Sequence, residues 1–362
     1  MALIALAGVA GVLASVLRTV VLPRAVPARL ARFTFLAVRA LLLLRLRLAR
    51  GSDYRTRDRV FALQAPLGLF AQLLTWSVLI FLCFAALFWA LSPQGLTEAN
   101  IVQSLELSGS SMVTLGIDQP QGLIRHLVAF AAAGVGLTLL ALVITYLPSL
   151  YGAFSRREAL IARLVVRAGT PPSGLSLLTR SWELERFEQL DEVWDSWESW
   201  FIELGESHTT FPQLSFFRSP HPLNHWVLGA ESVLDGAALF MTTCDVPRQS
   251  RSEMCVEAGV GALVAIAEFL GIPRRPPEPE AEAQIRLPRE TFQAARRELA
   301  TVGVPVRDDA DASWGEFRRI RARYEPLIAV LGRMTDAPRS EWSSWSDDLP
   351  RHSPPLIRIH ND

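Results

Sequence analysis

The chain has 362 residues, half of them hydrophobic, with 36 basic and 36 acidic side chains and therefore no net charge. That length allows two or three domains, and the charge balance gives no basis for a nucleic-acid partner. Cys83, Cys244 and Cys255 have no metal-type C-x-x-C spacing and imply no disulfide framework, which suits a reducing compartment for the later part of the chain. The balance conceals an asymmetry: the first third is apolar and arginine-rich, whereas acidic residues gather after Ser181.

Residues 1–24 read as a transmembrane anchor. The run from Ala2 to Leu22 has about the 20 apolar residues a span needs, and its arginines follow the apolar core instead of preceding it, as a cleaved signal would require. Residues 25–65 form a basic segment. Within it, Ala28 to Arg50 is too charged for a comfortable span and is expected to lie as a basic helix on the inner leaflet; a distorted fourth span is the alternative. Two uncharged runs follow, Leu67 to Leu91 and Leu127 to Leu150. Arginines cluster between the first two spans and after the third, so the positive-inside rule puts both clusters in the cytoplasm. The loop between spans two and three then faces outward, and everything after Tyr151 is cytoplasmic. The expected location is an inner (plasma) membrane, crossed several times.

The segment joining the last two spans carries the most information. "LTEANIVQSLELSGSSM" reads as a short helix, with Thr97 as N-cap and Glu98 at the positive end of its dipole. The hydroxyl-rich SGSS gives way to an extended "VTLGID", and Pro120 turns the chain toward the next span. Non-helical backbone at membrane depth is tolerated only where protein buries it or where it lines a water-filled cavity, and cation filters use that exception to replace an ion's hydration shell with carbonyl oxygens.

This order resembles the potassium-channel-like, two-transmembrane pore-loop superfamily over roughly Leu67 to Glu158. Thr114, Leu115, Gly116, Ile117 and Asp118 lie over the T-V-G-Y-G filter, Ser110 and Ser111 over its supporting helix end, and Gly134, Gly136 and Pro148 over the hinge region of the inner helix. The resemblance implies an all-α membrane protein with outer helix, pore helix, filter and inner helix in residues 66–152, assembled as a homotetramer around a permeant cation, with no cofactor. The second filter glycine is absent, and Asp118 takes its place or the next. Four such carboxylates about 8 Å apart would repel by about 2 kcal/mol per adjacent pair at an effective dielectric near 20. A bound cation relieves that repulsion, so potassium-like and less selective monovalent or divalent permeation both stand open. The plainer reading is a polar extracellular loop with SGSS as turn chemistry.

Residues 153–180 are expected to connect the pore module to an all-helical cytoplasmic domain over 181–337, ahead of a flexible tail at 338–362. Phe187, Leu190, Trp194, Trp197, Phe201 and Leu204 repeat at helical spacing, as a stripe expected to be buried within that domain; a four-helix contact on the channel axis is the alternative. Core helices are expected over Leu223–Thr243 and Glu253–Leu270, a solvated linker from Pro273, and further helices over Arg289–Val302 and Ser313–Arg333. Glu231/Asp235 and Glu253/Glu257 are i,i+4 carboxylate pairs preceded by His208, His221 and His225, but no Glu-x-x-His pair of a bundle metal site occurs. No nucleophile elbow, phosphate loop or dinucleotide fingerprint appears, and no enzyme is expected. Three functions remain: a gated pore-loop cation channel, a non-conducting membrane scaffold or sensor with a decayed filter, and a membrane-tethered metal-binding helical domain. The ligand of the cytoplasmic domain is not legible.

Overall fold

The computed structural model of the protein describes residues 1–20, 29–48, 53–92, 98–247, 250–272 and 285–345. Across these residues the chain is helical, and the only β-type pairing is an isolated bridge between Cys244 and Val306. Among the described residues three helices are long and apolar enough to cross a membrane: α1 (Ala2–Val20), α4 (Gln64–Ala90) and α6 (Leu123–Ala168). At 1.5 Å per residue α6 is about 70 Å long, more than twice the ~30 Å hydrocarbon thickness, so it extends well beyond any bilayer it crosses. The chain divides into two units, 1–51 with 63–152, and 52–62 with 153–362.

In the first unit, α1 packs along α4, and α4 also receives α2 (Arg29–Leu48) and α5 (Glu98–Met112). Val9, Val12 and Val16 of α1 meet Trp76, Ile80 and Phe84 of α4, and Ala132 of α6 joins this cluster. Trp76 Nε1 donates to Ser15 Oγ (3.2 Å), a pairing that matters because an indole N–H in an apolar core otherwise goes unsatisfied. Small residues set the spacing. A Cβ on Gly8 would come 2.7 Å from Cys83 Sγ, and one on Gly68 would come 2.8 Å from the Phe35 ring. The expected interfacial segment is thus a regular helix seated on α4. Thr97, expected as the N-cap of α5, lies outside the described residues.

The second unit is built around α9 (Trp226–Thr243), of which every residue but Met241 is buried. Against it lie α7 (Gly174–Glu183), α8 (Leu190–Thr210), α10 (Ser250–Phe269), α12 (Ala310–Ala322) and α13 (Glu325–Thr335), while α11 (Arg289–Thr301) packs on α7 and α12. The aromatic stripe of α8 enters this core: Trp194, Trp197, Phe201 and Leu204 are all buried. Backbone approaches backbone where α7 meets α9. A Cβ on Gly174 would lie 2.3 Å from the Gly236 nitrogen, and no side-chain movement relieves such a clash. Gly174→Val should therefore cost about 3 kcal/mol or more of unfolding free energy, read as a lowered midpoint in tryptophan-monitored unfolding of the full-length protein.

Four sequence expectations need correction. Residues 153–168 are not a connector, because Ala153, Ile161, Leu164 and Ala168 are buried in this unit. Fully buried Arg157 donates to the carbonyls of Leu214 (2.7 Å) and Phe217 (2.8 Å). Second, the short helix α3 (Tyr54–Ala62) belongs to this unit, held by an Asp58–Arg218 ion pair (2.8 Å) and a Tyr54 hydroxyl donating to the Pro222 carbonyl (2.9 Å). Those partners lie some 160 residues away in sequence, beyond any local pattern. Third, the helix expected over Ser313–Arg333 is two helices. Pro326, lacking an amide hydrogen, starts α13 and interrupts the α12 ladder. Fourth, the expected flexible tail is packed as far as Trp345: Trp342 and Trp345 are buried, and Trp345 Nε1 donates to the Ala337 carbonyl. Residues 346–362 and the linker 273–284 lie outside the described residues.

Candidate functional site

Helix α5 carries the segment between the last two spans. It is anchored sideways to α4, where the Ser108 hydroxyl donates to the Phe81 carbonyl (2.7 Å) and the ring of Phe81 lies 3.4 Å from where a Gly109 Cβ would sit. Its buried face is Asn100, Ser104, Leu107, Ser108 and Ser110. The spacing of four, three, one and two residues keeps those side chains on one side of a 3.6-residue repeat.

The helix stops at Met112, and the chain does not become the extended strand the sequence suggests. Val113 N donates to Gly109 O (3.2 Å), Thr114 N to Ser111 O (3.1 Å) and Leu115 N to Ser110 O (2.8 Å). Ile117 N then reaches the Ser110 side-chain oxygen (2.9 Å). Four donors are in this way folded back onto the carboxyl end of α5, whose terminal carbonyls would otherwise lack partners. The cost appears in the dihedrals: Thr114 has φ 55° and Gly116 φ 67°. Glycine adopts this region freely. A β-branched threonine does so at a cost of about 1–3 kcal/mol and marks the strained point of the loop.

With the N–H groups directed toward α5, the carbonyls of Thr114, Leu115, Gly116 and Ile117 accept no hydrogen bond among the described residues. Leu115 and Ile117 are exposed, at 63% and 78%. Asp118 is half-buried, and its carboxylate accepts from Gln119 N (2.8 Å). Ser110 is therefore the residue that ties the loop to the helix, through both its carbonyl and its side chain, while the Ser111 carbonyl takes Thr114.

The three inner-helix positions separate. A Cβ on Gly136 would stand 2.0 Å from the Met112 carbonyl oxygen, so Gly136 is where α6 lets the end of α5 approach its backbone. Gly134 is exposed, a Cβ there would have no neighbour within 4 Å, and Thr138 Oγ1 donates to its carbonyl (2.8 Å). Pro148 is exposed within an uninterrupted helix. Arg125, in the first turns of α6, has no sequence signal that marks it, since a lone arginine beside an apolar run belongs to no motif. It is buried, with Nε and Nη2 making no hydrogen bond among the described residues.

Compared with models of known protein families, with characterised proteins and with solved structures, the chain matches none.

The acidic and histidine groups of the second unit make a different site. Glu231 and Asp235 sit one turn apart on α9 and face Arg321, which has no exposed surface. Arg321 Nη1 lies 2.7 Å from Asp235 Oδ1, and Glu325 is 3.4 Å from its Nε. Tyr324 donates to Asp235 Oδ1 (2.7 Å), and Ser344 donates to Glu231 Oε1 from its backbone N–H (2.9 Å) and its hydroxyl. Three carboxyl groups thus share one guanidinium in a dry core. Burial, with Asp235 alongside, pushes Glu231 up to about 8, and burial pushes Asp235 up to about 6. Burial alone would favour neutral Arg321, but Asp235, Tyr324, Glu325 and Glu231 hold it charged.

His208 lies tilted against Trp226 and 3.3 Å from Arg157 Nη1; burial and that arginine hold it well below its ordinary range, and hence neutral. His225 caps α9, its ring Nδ1 accepting from Val227 N (3.2 Å). Among the described residues no three His, Cys, Asp or Glu side chains gather closely enough to hold a metal ion. The Glu231/Asp235 pair is occupied by an arginine. Only the tertiary fold brings Arg321 to it, ninety residues away.

Proposed function

We propose that the chain is one subunit of a homotetrameric pore-loop cation channel, with a helical domain on the cytoplasmic side that governs opening. One observation carries the reading: after a short helix the backbone directs the N–H groups of Val113, Thr114, Leu115 and Ile117 backward and, among the described residues, leaves four consecutive carbonyls unpaired, at the point where two membrane-length helices are joined. Such carbonyls are stable in an apolar setting only if something replaces their hydrogen bonds, and a partly dehydrated cation does so. Two helices and one loop form a quarter of a wall, so closure needs a fourfold assembly. The left-handed dihedrals at Thr114 and Gly116 further support a loop shaped for its carbonyls and not for a minimal connection.

Recordings from purified full-length protein in planar bilayers test this. Wild type is expected to pass cations. Gly116→Ala, which meets no neighbour but forces an L-residue to φ 67°, should abolish or sharply reduce the current. Asp118→Asn should change ion preference or block while preserving conduction. Silence of the wild type in every cation tried, with the tetramer intact, would instead favour a non-conducting membrane scaffold.

A further inference from the structure

We propose that α2 is a docking face for anionic phospholipid headgroups, with Arg45 and Arg47 as the phosphate contacts. The inference rests on the membrane reading above, though not on conduction.

One side of α2 is committed to protein: Thr34 and Leu42 are buried, Phe35 packs on Gly68, and Arg39 Nη1 reaches Gln64 Oε1 (3.5 Å). The other side carries an apolar stripe that nothing in the unit covers. Phe33 is 71% exposed, Leu41 65%, Leu44 51% and Leu48 76%. At 100° per residue, Arg47 lies about 60° to one side of Leu44 and Arg45 about 100° to the other. Both are exposed, and neither makes an ion pair among the described residues. An apolar stripe bordered on both edges by arginines is the cross-section of a helix lying at a membrane surface, its stripe among acyl chains and its guanidiniums reaching up to the headgroups.

Charge selects the headgroup. The first 52 residues contain eight arginines and no acidic residue. The acids of the first unit are Glu98, Glu106 and Asp118, all between α4 and α6 in the chain. Arginines at a lipid surface without carboxylate partners are best neutralised by phosphodiesters, whose oxygens match the planar guanidinium fork. A zwitterionic headgroup brings its own cation and competes poorly. Each arginine at an anionic surface is worth about a fivefold preference.

The test is lipid selectivity of the full-length protein in nanodiscs of equal phosphatidylcholine and phosphatidylglycerol, read by native mass spectrometry as lipids retained on delipidation. Wild type is expected to retain phosphatidylglycerol in about 25-fold excess, and Arg45→Gln/Arg47→Gln to fall to near parity. Arg45→Lys/Arg47→Lys, which keeps the charge, should retain most of the preference. A wild type without preference, or a double Gln variant that keeps it, overturns the proposal. Resistance to carbonate extraction from native membranes is measured on the same variants. Extraction of the wild type would sink the membrane reading itself, whereas retention without lipid preference sinks only the role of α2.

Discussion

Arg321→Met should unfold the second unit's core at markedly lower temperature or denaturant, with a loss of about 3–5 kcal/mol and roughly 10 °C. The variant fits in volume but leaves Glu231, Asp235 and Glu325 in a core with no cation, and removes the donors that reach the Trp342 carbonyl (2.7 Å) and the Ser344 hydroxyl (3.2 Å). Glu231→Gln should behave oppositely, with little cost near neutral pH, because Glu231 already keeps its proton there. The pH dependence follows from the same shift. An unfolded chain releases the Glu231 proton near its ordinary 4.5, while the folded protein holds it up to about 8. Between those values the native state binds the extra proton, so stability is greatest near the lower end and declines as pH rises, by about 1.4 kcal/mol per unit at most for this one proton. Asp235, shifted up to about 6, adds to the fall in the lower part of that window. Equilibrium unfolding of full-length protein in detergent from pH 5 to 8 measures this. A wild-type curve that is flat, or that Glu231→Gln leaves unchanged, would show that the carboxylates are jointly ionised by Arg321.

The second large effect separates two glycines that sequence alone groups together. Gly136→Val places a branched side chain where even a Cβ stands 2.0 Å from the Met112 carbonyl, so α5 and α6 must part. We expect a loss of about 3 kcal/mol or more, and with it the loop geometry that depends on the end of α5. Current and tetramer should both be lost. Gly134→Ala meets nothing within 4 Å and replaces a poor helix former with the best one, so its fold should be as stable as wild type or more so by about 0.5–1 kcal/mol. Thermal unfolding and bilayer recording of the pair give a direct comparison. If Gly134→Ala conducts like wild type, Gly134 does not serve as a hinge.

The hydrophobic and periodic signals in the sequence were sufficient for much of this molecule. Apolar runs of membrane length became α1, α4 and α6, the stripe from Leu190 to Leu204 became the buried face of α8, and the helix before the loop ends at Met112. These features depend on residues within a few turns of one another, where local spacing and the burial of apolar surface act together. Local spacing also determined that Glu231 and Asp235 share one face of a helix, since four residues is one turn. What it left open is which groups meet that face. Arg321 and Ser344 reach it from ninety and more residues away, Arg218 draws α3 into the second unit, and Gly136 lies under the end of α5 and not at a free bend. Each of these outcomes turns on a contact between distant segments, chosen by close packing and by the need of buried charges for partners, and a linear string of residues carries neither distance.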